Sequence, residues 1–191
     1  MTEPFGRENI GSASIEPLDP VVAGTFGTWK IRYVAGEFGL DDSGHLRITE
    51  RQVGDWERPQ FDRPKESGYT TARTNSGATL EMAWFETLNT RPFRKTLVVT
   101  VSGGGLHPGE WIEVTYGDTS GGGPGRRAQT FREPQSEFHV LADPFGANRF
   151  FPMADQPWVP VLGDDATEFE VTSPASAVTG RPHRLSIRAR D

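Results

Sequence analysis

Hydrophobic residues recur along this chain with a period of two, and no window sustains a period of 3.6. In residues 28–34, Trp29, Ile31 and Tyr33 share one face. In 45–50, Leu46 and Ile48 do, and in 111–116 Ile112, Val114 and Tyr116 stand against Trp111, Glu113 and Thr115. Successive side chains of a strand point to opposite faces, so this alternation predicts half-buried strands. Residues 69–74 are β-prone but mostly polar. Residues 79–85 set Leu80, Met82 and Trp84 together, although Leu, Glu, Met and Ala there would also suit one helical turn. Residues 96–101 form a continuous apolar run, as a central strand does. Segments 137–142 (Phe138 and Val140 inward), 158–162, 168–172 and 183–189 follow.

Turn signals separate these runs: Asp42-Ser43-Gly44, Asn75-Ser76-Gly77, Pro108-Gly109, Asp143-Pro144 and Gly163-Asp164. Glycine (22) and proline (15) are spread throughout, which argues against long helices. Short strands about ten residues apart with such turns between them predict an all-β fold. The expectation is an antiparallel β-sandwich, immunoglobulin-like or jelly-roll-like, with very little helix.

Residues 19–33 and 173–191 follow the same plan. A proline opens a short extended run, a glycine turn follows, and an alternating strand comes next. The expected organisation is a flexible N-terminal arm over 1–16 and a sandwich over 17–162. Residues 163–191 are then a junction with the first strands of a second immunoglobulin-like unit, or a strand that completes the first domain.

Composition narrows the function. The 191 residues include no cysteine, which excludes disulfides, thiolate metal sites and a thiol nucleophile. The formal net charge is −6, and no broad basic stripe is present. Phosphate contacts dominate nucleic-acid affinity, so nucleic acid is not an expected partner. The four arginines of 181–190 alternate with apolar residues and read as the solvated face of a strand. No run approaches the roughly 20 apolar residues of a membrane helix, and the start lacks an apolar signal core. The expectation is a soluble, cytoplasmic protein with no membrane partner.

The stretch Tyr116–Phe131, YGDTSGGGPGRRAQTF, resembles a phosphate-cradling loop in its glycines. It fails the dinucleotide fingerprint, because counting from Gly121 the sixth place is Arg126. It also lacks Gly-Lys-Ser/Thr and leads into a strand-like segment rather than a helix. It reads as a strand connection whose glycines supply positive φ and close approach. Arg126 and Arg127 leave it in adjacent positions and so point to opposite faces; one can meet Asp118, Glu113 or an anionic ligand. Either is a structural pin if buried and a ligand contact if exposed.

The four histidines, His45, His107, His139 and His183, form no His-x-His or His-Glu-x-x-His arrangement. No Gly-x-Ser-x-Gly elbow occurs. The acid pairs Asp41-Asp42 and Asp164-Asp165 fit turns better than a calcium loop. No metal site and no cofactor is implied. Aromatic residues cluster outside the clean strands; DWERPQFDRP (55–64) joins Trp56, Gln60 and Phe61 with arginines on a loop, the composition of a recognition surface or of an end cap.

From about Pro17 onward the chain resembles the N-terminal β-rich region of a family of long bacterial proteins of uncertain function. The stretches that carry the resemblance include VVAGTFGTWKIRYVAGEFGLDDSGHLRI, WERPQFDRP, NTRPFRKTLVV, YGDTSGGGPGRRAQTF, EFHVLADPFGANRFFPM and SPASAVTGRPHRLSIRARD. In that family this region precedes a further β domain and a metallo-hydrolase-like part related to the polymerase and histidinol phosphatase (PHP) superfamily. The resemblance implies a module that serves a hydrolase without carrying its metal site. It also draws Trp56, Gln60 and Arg91 into a recurrent framework.

The first functional expectation is therefore a non-catalytic accessory or interaction domain, partnered by the rest of a larger PHP-like hydrolase or by a second copy of itself. The alternatives are a stand-alone protein binding a small anionic or glycan ligand, and a small metal-free lyase or isomerase with a histidine base. Candidate ligand-facing residues are Arg126, Arg127, Asp118, Trp56, Gln60 and Arg91; His107 and His139 are the candidate bases.

Overall fold

A computed structural model describes residues 6–190 of the protein. After a single 3-10 turn at Arg7–Asn9 the described chain is built of strands. In chain order these are β1 (Gly11–Glu16), β2 (Val21–Val22), β3 (Phe26–Gly27), β4 (Trp29–Ala35), β5 (His45–Arg51), β6 (Thr70–Thr74), β7 (Thr79–Phe85) and β8 (Phe93–Ser102). They continue as β9 (Trp111–Tyr116), β10 (Arg126–Arg127), β11 (Glu133–Glu137), β12 (His139–Asp143), β13 (Phe151–Pro152), β14 (Trp158–Leu162), β15 (Glu168–Thr172) and β16 (Ser186–Arg190).

Two antiparallel sheets make the body, in the orders β1-β4-β9-β6 and β13-β12-β5-β8-β7. Their inner faces follow from the alternation. Ile15, Trp29, Ile31, Tyr33, Ile112, Val114 and Tyr116 come from the first sheet, and Leu46, Ile48, Leu97, Val99, Val101, Val140 and Ala142 from the second. All belong to one hydrophobic cluster, as two half-buried sheets require. The fold is thus an all-β antiparallel sandwich, as the sequence predicts. Residues 79–85 form β7, a strand and not a helical turn. A smaller sheet, β11-β14-β2, adds Val159 and Val161 to the same cluster, and its β14–β2 pairing is parallel.

The N-terminal boundary differs from the expected arm. Gly11–Glu16 pairs with β4 over its whole length, from Gly11↔Ala35 to Glu16↔Lys30. Ile10 and Ile15 are buried, and the Tyr33 hydroxyl donates to the Ile10 carbonyl at 2.8 Å. The segment reads as an arm because Ser12, Ser14 and Glu16 occupy its outer face and only Ile15 marks the inner one. Residues 1–5 of the expected arm lie outside the described residues.

At the other end, β15 and β16 pair with each other and with no other strand. The last strand does not complete the first sandwich. The two strands are a separate hairpin, and its apolar residues are exposed: Phe169 by 70%, Val171 by 58% and Ile187 by 68%.

Candidate functional site

The glycine-rich connection closes the turn between β9 and β10. Gly117 (φ 68°) and Gly125 (φ 104°) adopt the left-handed backbone that favours glycine. A Cβ at Gly117 would lie 2.3 Å from the Arg126 nitrogen and 2.4 Å from the Gly27 carbonyl oxygen, so β10 could not then pair with β3. Asp118 in this loop is hydrogen-bonded within the protein. The Asp118 amide donates to the Tyr69 carbonyl, and the Asp118 carboxylate accepts from the Thr71 hydroxyl (2.6 Å) and the Ser120 amide (2.8 Å). Partial burial pushes the Asp118 carboxyl up, but these hydrogen bonds outweigh it and hold the group below its ordinary range. Asp118 is a turn residue here, not a ligand for either arginine.

Arg126 is the pin. Its side chain is fully buried, and its Nη2 donates to Glu50 Oε1 (2.7 Å) and Oε2 (2.9 Å) while Nε donates to the Glu57 carbonyl (2.6 Å). The guanidinium carbon lies 4.6 Å from the Tyr116 ring centre and 5.4 Å from that of Trp56. Burial pushes the Glu50 carboxyl up, and Arg126 and then Lys95 pull against it. The sequence offers Asp118, Glu113 or an anionic ligand as the partner. Glu113 is instead held by Arg32 (Nε, 3.1 Å) and Arg73 (Nε, 2.9 Å) on the outer face of the first sheet. Sequence reading missed Glu50, although a period of two puts it on the inward face of Leu46 and Ile48.

Trp56 is a core residue, not a ligand-facing one. It packs edge-on to Trp29 at 4.9 Å and against Phe138 at 5.4 Å, and its Nε1 donates to the Ser136 hydroxyl at 3.0 Å. Prolines and charges around it hide that burial from a strand-based reading. Gln60 spends its amide on the loop. Nε2 donates to the carbonyls of Arg63 (2.8 Å) and Ser67 (3.2 Å), and Oε1 accepts from the amides of Asp62 and Arg63. Arg127 is half-buried, with long contacts from its guanidinium to the Ala128 and Asp55 carbonyls. Arg91 is exposed and lines a shallow groove with Val53 and Pro92.

The two candidate bases do not meet a nucleophile. His107 is exposed in a turn, where its backbone amide donates to the Glu110 carboxylate. His139 lies on the outer face of the second sheet, stacked on Phe93 (4.7 Å, 13°), with Nδ1 2.9 Å from Glu137 Oε1. His45 comes within 4.0 Å of buried Asp143, whose oxygens already accept from the amides of Ala147 and Asn148. Among the described residues no three His, Asp or Glu side chains gather as a metal site.

A cleft lies elsewhere, between the 57–67 loop and Trp84 of β7, with a volume of about 770 Å³. The sequence puts the 55–64 loop, its arginines included, forward as a recognition surface or an end cap, but does not bring Trp84 to it. Trp84 carried a signal, since it ends the Leu80–Met82–Trp84 face; that it closes a cleft depends on a loop from another part of the chain.

No family model matches the chain, and no curated protein matches it. Among solved structures it is similar to the cohesin module of the Clostridium perfringens ATCC13124 family 33 glycoside hydrolase. That match has 9% identity and a TM-score of 0.45, covering 82% of this chain and 99% of that one. It is also similar to the family 3a carbohydrate binding module of the cipA scaffolding of Clostridium thermocellum, at 13% identity and a TM-score of 0.37, covering 73% and 100%. Neither likeness bears on what this chain binds. Among the described residues no helix is long and apolar enough to cross a membrane.

Proposed function

We propose that the protein is a non-catalytic interaction module in which the β15–β16 hairpin opens a second β unit on the plan of the first. Through that hairpin it joins a larger, cytoplasmic PHP-like hydrolase, as the family resemblance implies. The observation that carries this reading is a correspondence of register. In the sandwich, β1 and β4 pair as Glu16↔Lys30, Ile15↔Ile31, Ser14↔Arg32 and Ala13↔Tyr33. In the hairpin, β15 and β16 pair as Thr172↔Ser186, Val171↔Ile187, Glu170↔Arg188 and Phe169↔Ala189. Each position puts apolar against apolar on one face and polar on the other. The inner face of β1–β4 is covered by the second sheet, whereas that of β15–β16 is bare. An isolated two-stranded hairpin is marginally stable in water, so a partner layer stabilises it.

Hydrogen exchange on the full gene product, set against the 191-residue chain alone, tests the reading. The β15–β16 amides should be protected far more strongly in the full product, and Ile187→Asp should remove the difference. Protection that rises with the concentration of the 191-residue chain would identify a second copy as the covering layer. A full gene product whose hairpin amides exchange freely at every concentration would refute the module.

A further inference from the structure

We propose that the cleft between the 57–67 loop and β7 is a binding site for a neutral, polyhydroxylated ligand, a segment of a glycan chain. It lies apart from the hairpin and does not rest on the reading of the hairpin as an interface. Its volume of about 770 Å³ falls within the range of roughly 300–1,000 Å³ typical of small-molecule sites. The lining combines two aromatic rings, Phe61 and Trp84, with charged groups of both signs.

The rings are fixed but not used up. Both are partly buried with the hydrophobic core behind them, so each retains an open part toward the cleft. The Trp84 Nε1 donates to Glu86 at 2.9 Å, which sets the indole's orientation. An aromatic face of this kind suits the C–H face of a sugar ring, which is apolar although its edge is polar.

The polar groups suit the edge. Glu57 is anchored by the Ser67 hydroxyl on Oε1 (2.5 Å) and the Arg127 amide on Oε2 (2.9 Å). Each oxygen retains a further lone pair for a ligand hydroxyl. Arg58 is exposed, and its guanidinium makes no hydrogen bond or ion pair among the described residues, so its donors are available. Arg63 is paired with Glu66. The lining carboxylates Glu57, Asp62 and Glu66 nearly balance Arg58 and Arg63, so the cleft has no excess positive charge to hold a phosphorylated or sulfated ligand.

The wall is preorganised. Four hydrogen bonds of the Gln60 side-chain amide, two donated by Nε2 and two accepted by Oε1, shape the 60–67 turn. The glycine-rich connection supports that turn from behind: a Cβ at Gly121 would lie 2.4 Å from Pro64 Cβ, and the Gly68 amide donates to the Gly125 carbonyl at 2.9 Å. A wall ordered before binding lowers the entropic cost of capture.

Titration calorimetry of the intact chain tests the site, with cellohexaose, xylohexaose, maltohexaose and chitohexaose as neutral probes and inorganic phosphate and a heparin fragment as charged ones. At least one neutral probe should saturate. Trp84→Ala and, separately, Arg58→Ala should each weaken it by roughly tenfold or more. Arg132→Ala, on the surface outside the cleft, and Ile187→Asp in the hairpin should leave it unchanged. Because Arg58 is exposed, its variant keeps the test decisive if Trp84→Ala fails to fold. Failure of all four neutral probes to bind at millimolar concentration would overturn the proposal. So would undiminished binding by Arg58→Ala, or stronger binding of a charged probe.

Discussion

The β1–β4 pair and the β15–β16 pair are built alike and end in opposite situations. Both are antiparallel, both place Ile or Val opposite Ile one step from the connection, and both alternate apolar with polar side chains. Ile31 is fully buried, while Ile187 is 68% exposed. Local pairing therefore does not decide whether a strand belongs to a core. What decides it is whether a second layer covers its apolar face, and only β1–β4 has one among the described residues.

The largest expected effect comes from opening the interior beside β4. Glu50→Ala leaves the Arg126 guanidinium buried without its carboxylate and should cost about 3–5 kcal/mol in denaturant unfolding. The amide resonances of β15 and β16 should not shift in the folded fraction. Ile31→Ala should cost about 2–5 kcal/mol, since it leaves a cavity in a closed core. Tyr33→Phe, in the same pair, removes the hydroxyl that donates to the Ile10 carbonyl but leaves that carbonyl the Gly36 amide as a donor, and should cost roughly 1 kcal/mol.

Acid gives a smaller and graded effect. Partial burial pushes the Glu113 carboxyl up, but hydrogen bonds from Arg32 and Arg73 more than offset this and hold it below its ordinary range. Its contribution to stability is present above the ordinary glutamate pKa and is lost as the pH falls through the lowered folded value. The unfolding midpoint should therefore drop on acidification through that window, and by less in Glu113→Gln. The smallest effect belongs to the hairpin: Ile187→Ala should change the unfolding free energy of the 191-residue chain by less than about 0.5 kcal/mol. A cost there comparable with that of Ile31→Ala would break the comparison, because it would mean that the hairpin face is already covered.

Much of the fold is legible in the alternation. The faces of β4, β5, β7, β9 and β12 follow from counting by twos, and so does the opposition of buried Arg126 to half-buried Arg127. Within the expected arm over 1–16, residues 11–16 are instead strand β1, which the sequence hides because it has a polar outer face and a single strong inner residue. The candidate site was much less legible. Trp56 and Gln60 look like surface residues because they sit among prolines and charges, yet one seals the core and the other ties a turn. Glu50, Arg58 and Trp84 each gain their role from a segment distant in sequence.

The order of residues by itself determined the strand faces, the turns, the absence of thiol chemistry and the plan shared by residues 19–33 and 173–191, because these depend on neighbours one to a few positions apart. Only the tertiary structure decided that Arg126 meets Glu50, that the glycine-rich connection props the 57–67 loop, and that one of two similar strand pairs is buried. Those outcomes depend on which distant segments pack together, and a period of two along the chain carries no record of that choice.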